Sequence, residues 1–515
     1  MVTLPSYLEE SHRPSATLAD SLRRAASFPV MLAFLLVAGC YFAAKQSLLD
    51  PDSWWHMAIG QRILTTHSWP WSDTYSATAS GAPWIAYEWL GDVIIGGAAS
   101  FAGLWSATIL LIGLAGILVV LLYCYATIRC GNSKAAFVAC ATLIPILGAF
   151  FTLRPQLLGA IFLLVTLIIL ERFRQGHERA LWFLPPLFLI WVNTHGSFTF
   201  GFLVIGVAWL SGQFEFSSGG LFAERWTKRQ SIQLLLAILA CGLVLPITPY
   251  GTRVAAYPLS MLMSQPVNVK NIKEWMPVGA ETFLGKSFIV MVMGFFLACL
   301  AVRPRFRVSE ISLALLGVFA ACVHIRFLLL FVIFFAPLWA TILSRWVPRY
   351  EANADHPVIN SVLIAIMLCG FVYFFPTRQD IDTRVKTDYP QSAVQYLASH
   401  SIRGQVFNDY GWGGYLIWTA SPRNMIFIDG RADFYEFGGV LADYLSIARV
   451  EPNALHLLDK YGVQACLIRQ DAPLGTILSA LPSWELAYKD DVAAVYVRKS
   501  VEKESSGLSA ALMVR

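Results

Sequence analysis

The stretch that decides how this chain is read is LLDPDSWWHMAIG, residues 48–60. It ends the first apolar run and sets two carboxylates (Asp50, Asp52), two indoles (Trp54, Trp55) and the imidazole of His56 at one corner. In a chain that is 57% hydrophobic and 14% charged, such a corner needs a reason. Soluble domains carry about 25% charged residues. A mean hydropathy of +0.58 over 515 residues therefore points to a multi-pass membrane protein. The net charge of +5 is small for this length and argues against a nucleic-acid partner. Arg23 and Arg24 precede the first apolar run and no small-residue cleavage site follows it, so no cleaved leader is expected. Eight of the nine cysteines fall in or beside apolar segments and Cys466 stands alone in the tail, so no disulfide is expected.

A bilayer core of about 30 Å takes roughly 20 apolar residues per helix. Such segments lie near 28–46, 103–127, 134–152, 155–171, 180–195, 197–213, 231–249, 285–302, 309–323, 326–344 and 357–375. The expected fold is an α-helical polytopic membrane domain of about eleven transmembrane helices over 28–376. Basic residues fall on alternate loops: Arg23/Arg24, Arg129/Lys134, Arg172/Arg174/Arg179, Arg225/Lys228/Arg229, Arg303/Arg305/Arg307 and Arg345/Arg349. The positive-inside rule then places the N-terminal segment 1–27 in the cytoplasm, and the first loop, 47–102, and the tail outside. The tail, 377–500, reads as an external α/β domain, followed by a flexible end at 501–515. VFNDYGWGGYLIW, NMIFIDGRADF, ACLIRQ and VAAVYVRKS read as short strands, PQSAVQYLASH and EPNALHLLDKYG as helices. In the first loop, WHMAIGQRILTTH and PWIAYEWLGDVIIGGAASF have helical spacing, although Gly60 weakens the first.

The unusual polar residues gather on the external side. They are Asp50, Asp52, His56, Asp73, Glu88 and Asp92 in the first loop, then Arg154 and Gln156 in LRPQL, and Asn193, His195 and Ser197 in WVNTHGSF. Glu274 and Trp275 in KEWMP and His324 and Arg326 in VHIRF follow. Ionisable groups at membrane depth are costly and face a bundle interior or a wet cavity. The set implies one polar cavity opening outward. Plainer roles stay open for single members. Asp50 and Asp52 suit a helix N-cap; Trp54, Trp55, Trp69, Trp71 and Trp84 suit an interfacial belt; Arg154 suits snorkelling; His195 suits a turn; Asp429, Arg431 and Asp433 suit a salt-bridged turn after a strand.

An acidic motif directly after the first transmembrane helix, followed by a long external loop with two interfacial helices, resembles the GT-C class of integral membrane glycosyltransferases. Their donors are polyprenyl-phosphate-linked sugars. DPDSWWHMAIGQRIL…WSDTYSATASGAPWIAYEWLGD is similar to a group of bacterial membrane proteins placed near that class, as are LRPQL, WVNTHGSF, KEWMP and NDYGWGGYLIW…IFIDGRADFY. NDYGWGGYLIW also resembles the Trp-Trp-Asp-Tyr-Gly motif of oligosaccharyltransferase catalytic subunits, with Phe407 and Asn408 in place of its tryptophans.

The resemblance implies sugar transfer from a polyprenyl-phosphate donor to a glycan, lipid or protein acceptor, at the outer face of a bacterial cytoplasmic membrane. Asp52 then stands as the base, with Asp50 as fallback, and Glu88 orients acceptor or sugar. Arg154 and Arg326 hold the phosphate, with His195 or His324 donating a hydrogen bond. Trp54, Trp55 and Trp84 stack on sugar or isoprenoid. His56, Gln156, Asn193 and Glu274 complete the substrate-binding set, and Asp409, Tyr410, Asp429 and Arg431 belong to an acceptor or lid region. No cofactor is required; a divalent cation, if used, falls to Asp52, His56 and Glu88. A flippase for a lipid-linked glycan and a non-catalytic envelope assembly protein are the rival readings. The flippase reading lacks polar groups along the inner halves of the helices and matching broken segments in two halves.

Overall fold

The computed structural model describes residues 18–44, 50–400, 404–420 and 426–499. The end at 501–515 and most of 1–27 lie outside the described residues. Helices occupy all eleven apolar segments. Among the described residues six are long and apolar enough to cross a membrane, or seven if the bent pair Pro357–Tyr373 and Arg378–Asp388 forms one span. Eleven crossings are not reached on that measure. Helices Leu184–Thr194, Phe198–Ser211, Lys228–Val244 and Val308–Val323 have 11, 14, 17 and 16 residues. At about 1.5 Å per residue each falls short of a core of about 30 Å.

The first loop holds two helices, Pro51–Thr66 and Trp89–Ala102. The first begins where Asp50 accepts the backbone N–H of Asp52 at 3.0 Å and Pro51 fills the first helical position. It stops at His67, whose φ of 51° is left-handed. Gly60, the weak point of the sequence pattern, is where the two helices touch. A Cβ there would lie 1.8 Å from the carbonyl oxygen of Asp92. That close approach brings His56 of one helix within 2.5 Å of Asp92 on the other.

The tail forms a four-stranded mixed sheet flanked by helices. Its strands are Gln405–Asn408, Val463–Arg469, Ala493–Arg498 and Trp484–Lys489, in that spatial order. The first pair is parallel and the other two pairs are antiparallel. Of two expected strands, VFNDYGWGGYLIW is a strand only at its start, within Gln405–Asn408, and NMIFIDGRADF forms none among its described residues. GGYLIW is the helix Gly413–Ala420, because Tyr415 and Trp418, three apart, both pack on the ring of Trp54, at 5.1 and 6.5 Å. In NMIFIDGRADF the backbone pairs elsewhere. Ile426 bonds to Tyr75 and Ala77 of the first loop, and the amide of Phe427 donates to the Asn408 side chain at 2.8 Å.

The tail therefore bonds directly to the first loop, and both lie on one side of any membrane that the apolar helices cross. Arg431 cements the contact. Its Nη2 lies 2.8 Å from Asp73 in the loop and 2.6 Å from Asp429 beside it, all three buried. On the far side, helix Pro155–Arg174 runs from Arg154 to a second ionic cluster. There Arg129 pairs with Glu310, and Arg307 lies 2.7 Å from Glu171.

Gly60→Ala should separate the two loop helices. The expected loss is about 1–3 kcal/mol of stability, the usual cost of an overpacked contact, read as a lowered midpoint of thermal unfolding in lipid nanodiscs. An unchanged midpoint would mean that the helices do not cross this closely.

Candidate active-site cavity

Between the first loop, the helix ends at Arg154, His195, Glu274 and Arg326, and the tail turn at 430–433 lies a cavity of about 610 Å³. Asp50, Asp52, Trp55, His56, Glu88, Arg154, Gln156, His195, Glu274, Arg326, Tyr410 and Arg431 all line it. A dozen side chains named from the sequence thus come from six separate parts of the chain to one space. A smaller groove of about 140 Å³ adjoins it, lined mainly by apolar side chains of the helices. Tyr87, Gln156, His195, Met261, Trp275 and Arg326 border both.

Arg154 sits just before its helix and is saturated by carboxylates. It grips Asp50 with two parallel bonds of 2.6 and 2.7 Å, and reaches Asp52 at 2.9 Å and Glu274 at 2.7 Å. A guanidinium engaged in this way is a positioning group for acids, with little left for a phosphate. Arg326 differs. Its guanidinium stacks over Trp275 at 4.2 Å, and among the described residues no carboxylate pairs with it.

Burial raises the carboxyl of Asp52 above the ordinary range against the pull of Arg154, and Asp50 and Glu274 push the same way as burial. Gly430 closes over it from the tail: a Cβ at that position would lie 1.8 Å from Asp52 Oδ1. Glu88 lies 3.3 Å from Nε2 of His195. Burial, with Asp433 adding to it, raises Glu88 to about 8. Burial lowers His195 to about 3, with Arg326 adding to it, so its ring is neutral. Its Nδ1 then accepts from the Ser197 hydroxyl at 2.7 Å and its Nε2–H points to Glu88.

The remaining sequence candidates hold the walls up. Trp54 is buried among Tyr389, Tyr415 and Trp418. Asn193 accepts the Trp89 indole at 2.8 Å and donates to Leu189 and Ile247 carbonyls. His324 bonds to the Trp275 carbonyl at 2.5 Å, which sets the ring beneath Arg326. Asp409 accepts the Gly411 amide and pairs with Arg469 at 3.3 Å. Asp429 is buried in the Arg431 cluster. Trp84 is no belt residue: it is 6% exposed, with Arg431 stacked on it at 4.6 Å.

Asp52, His56 and Glu88 are committed to Arg154, Asp92 and His195 respectively, and among the described residues no three acidic, His or Cys side chains converge as a cation site. Sequence reasoning did not assign roles to Asp92, Asn268 or Tyr257. The one signal for Asp92 was its place one helical turn after Glu88.

No family model and no curated protein matches the chain. In structure it is similar to two GT-C glycosyltransferases, the class that the sequence resembles. One is ArnT from Cupriavidus metallidurans bound to undecaprenyl phosphate, with 13% identity over 92% of this chain and 98% of that one, at a TM-score of 0.49. The other is the Archaeoglobus fulgidus oligosaccharyltransferase in its apo form, with 12% identity over 86% of this chain and 69% of that one, at a TM-score of 0.47.

A raised acid stabilises the fold only while protonated. The contribution of Glu88 is whole below its ordinary 4.5 and is lost as pH rises toward 8. The thermal midpoint of the wild type should therefore fall more steeply across that window than that of Glu88→Gln. Parallel curves would place Glu88 in open water.

Proposed function

We propose that the chain is a membrane glycosyltransferase that moves a sugar from a polyprenyl-phosphate donor to an acceptor hydroxyl at the outer face of the cytoplasmic membrane. One observation carries the reading. A polar cavity and an apolar groove meet at Arg326, a guanidinium in no ion pair among the described residues, while a carboxylate waits in the polar half. A polyprenyl phosphate has that layout: an apolar chain for the groove and an anion for Arg326. The sequence resemblance supports the same chemistry.

In the reaction, the acceptor oxygen attacks the anomeric carbon and the bond from that carbon to the phosphate oxygen breaks. Asp52 takes the proton of the acceptor hydroxyl, and Arg326 holds the departing lipid phosphate. Asp50, Arg154 and Glu274 fix Asp52 in place. Since its carboxyl is raised, its acid limb should lie above the ordinary carboxylate range.

Asp52→Asn should lower kcat by about 10²–10⁴-fold, the usual worth of a positioned base. Arg326→Gln should weaken donor binding. Turnover would be followed with radiolabelled polyprenyl-phosphate sugars and membrane-extract acceptors, using purified protein in lipid. Transfer by Asp52→Asn at the wild-type rate would move the base elsewhere. Transfer in wild type that ignores pH from 4 to 8 would remove the carboxylate base altogether.

A further inference from the structure

The reaction above assigns a base and a phosphate holder but leaves the sugar without a seat. The wall beside Arg326 supplies one. The Glu88 carboxyl faces the neutral ring of His195 at 3.3 Å. Across the paired rings of Tyr87 and Tyr257, 4.6 Å apart, stands a second carboxylate, that of Asp433 in the tail, which accepts the Tyr257 hydroxyl. The third group is Asn268. It is 3% exposed and lines the cavity, its amide nitrogen donates to Gln265 at 2.9 Å, and its side-chain oxygen has no partner among the described residues.

A buried acceptor left unsatisfied is costly, and its persistence beside a cavity marks a place for a donor from outside the chain. Carboxylates and an amide oxygen are acceptors, and sugar hydroxyls are donors that suit them. The tyrosine faces offer an apolar surface for sugar C–H bonds. Tyr87, Tyr257 and Arg326 all border the apolar groove. A sugar esterified to a phosphate on Arg326 would therefore enter the cavity that Glu88, Asp433 and Asn268 line.

We propose that Glu88, Asp433 and Asn268 form the subsite for the transferred sugar, and that it takes a neutral, hydroxyl-rich sugar. A uronic acid would bring a further negative charge beside two acids that burial already holds above their ordinary range, where another anion is disfavoured. The assignment rests on the reading of Arg326 as phosphate holder, and it makes the tail domain part of donor selection.

The test measures lipid affinity in place of turnover. Full-length protein in nanodiscs would be titrated with undecaprenyl phosphate, with its glucosyl, mannosyl and galactosyl esters, and with its galacturonosyl ester. The wild type should bind at least one neutral glycosyl lipid about tenfold more tightly than the bare phosphate, and the galacturonosyl lipid no better than the bare phosphate. Asp433→Asn and Asn268→Ala should each erase most of that preference while the affinity for bare undecaprenyl phosphate stays as in wild type. Asp433→Asn retains an acceptor for Tyr257, and a wild-type thermal midpoint shows that it folds. A wild type without preference for any neutral sugar, a preference for the galacturonosyl lipid, or variants that keep the wild-type preference would overturn the subsite. Bare-lipid affinity that survives Arg326→Gln would instead overturn the phosphate reading beneath it.

Discussion

The architecture turns on a single buried guanidinium. Arg431 stands between Asp73 of the first loop and Asp429 of its own turn, with Tyr435 closing the ring of bonds. Its faces are covered by Trp84 and Phe434, at 4.6 and 5.2 Å. Such a cluster is tolerable only when complete, because removal of any member strands a charge in a medium that cannot solvate it. The ion pairs to Asp73 and Asp429 hold the tail against the loop. They also seat Gly430 over Asp52, and so shape the carboxylate that lies near the other end of the chain. The cavity is walled by that contact on one side and by the helix ends at Arg154, His195 and Arg326 on the other.

Two arginines show how partners decide a role. Arg154 and Arg326 line one space and look alike in sequence. Three carboxylates converge on the first, whereas the second rests on the face of Trp275. The first is spent on organising acids, and the second remains available to an anion. Sequence cannot separate them, since the partners of Arg154 sit about 100 and 120 positions away along the chain.

The sequence made legible what depends on composition and local chemistry. Apolar length placed the helices, Asp50-Pro51 announced a helix start, and polar corners on one side implied a shared cavity that twelve of the named side chains do line. It misread what depends on tertiary pairing. GGYLIW looked like a strand by its apolar run, but its aromatic residues pack at helical spacing on Trp54. IFIDG looked like a strand too, yet its backbone serves the first loop and Asn408. Gly60 looked like a defect in a helix and is instead the point where two helices cross. Trp84 looked interfacial because nothing in its neighbourhood announces Arg431, 347 residues later.

The closeness of Gly430 to Asp52 has a bearing on biosynthesis. Nearly 380 residues separate the two, so the wall over the carboxylate cannot exist while the chain is still being threaded through the membrane. The nascent protein carries Asp52 long before Gly430 has been made to cover it. Closure of the space over Asp52 therefore waits until the segment that carries Gly430 has been made and has folded against the first loop.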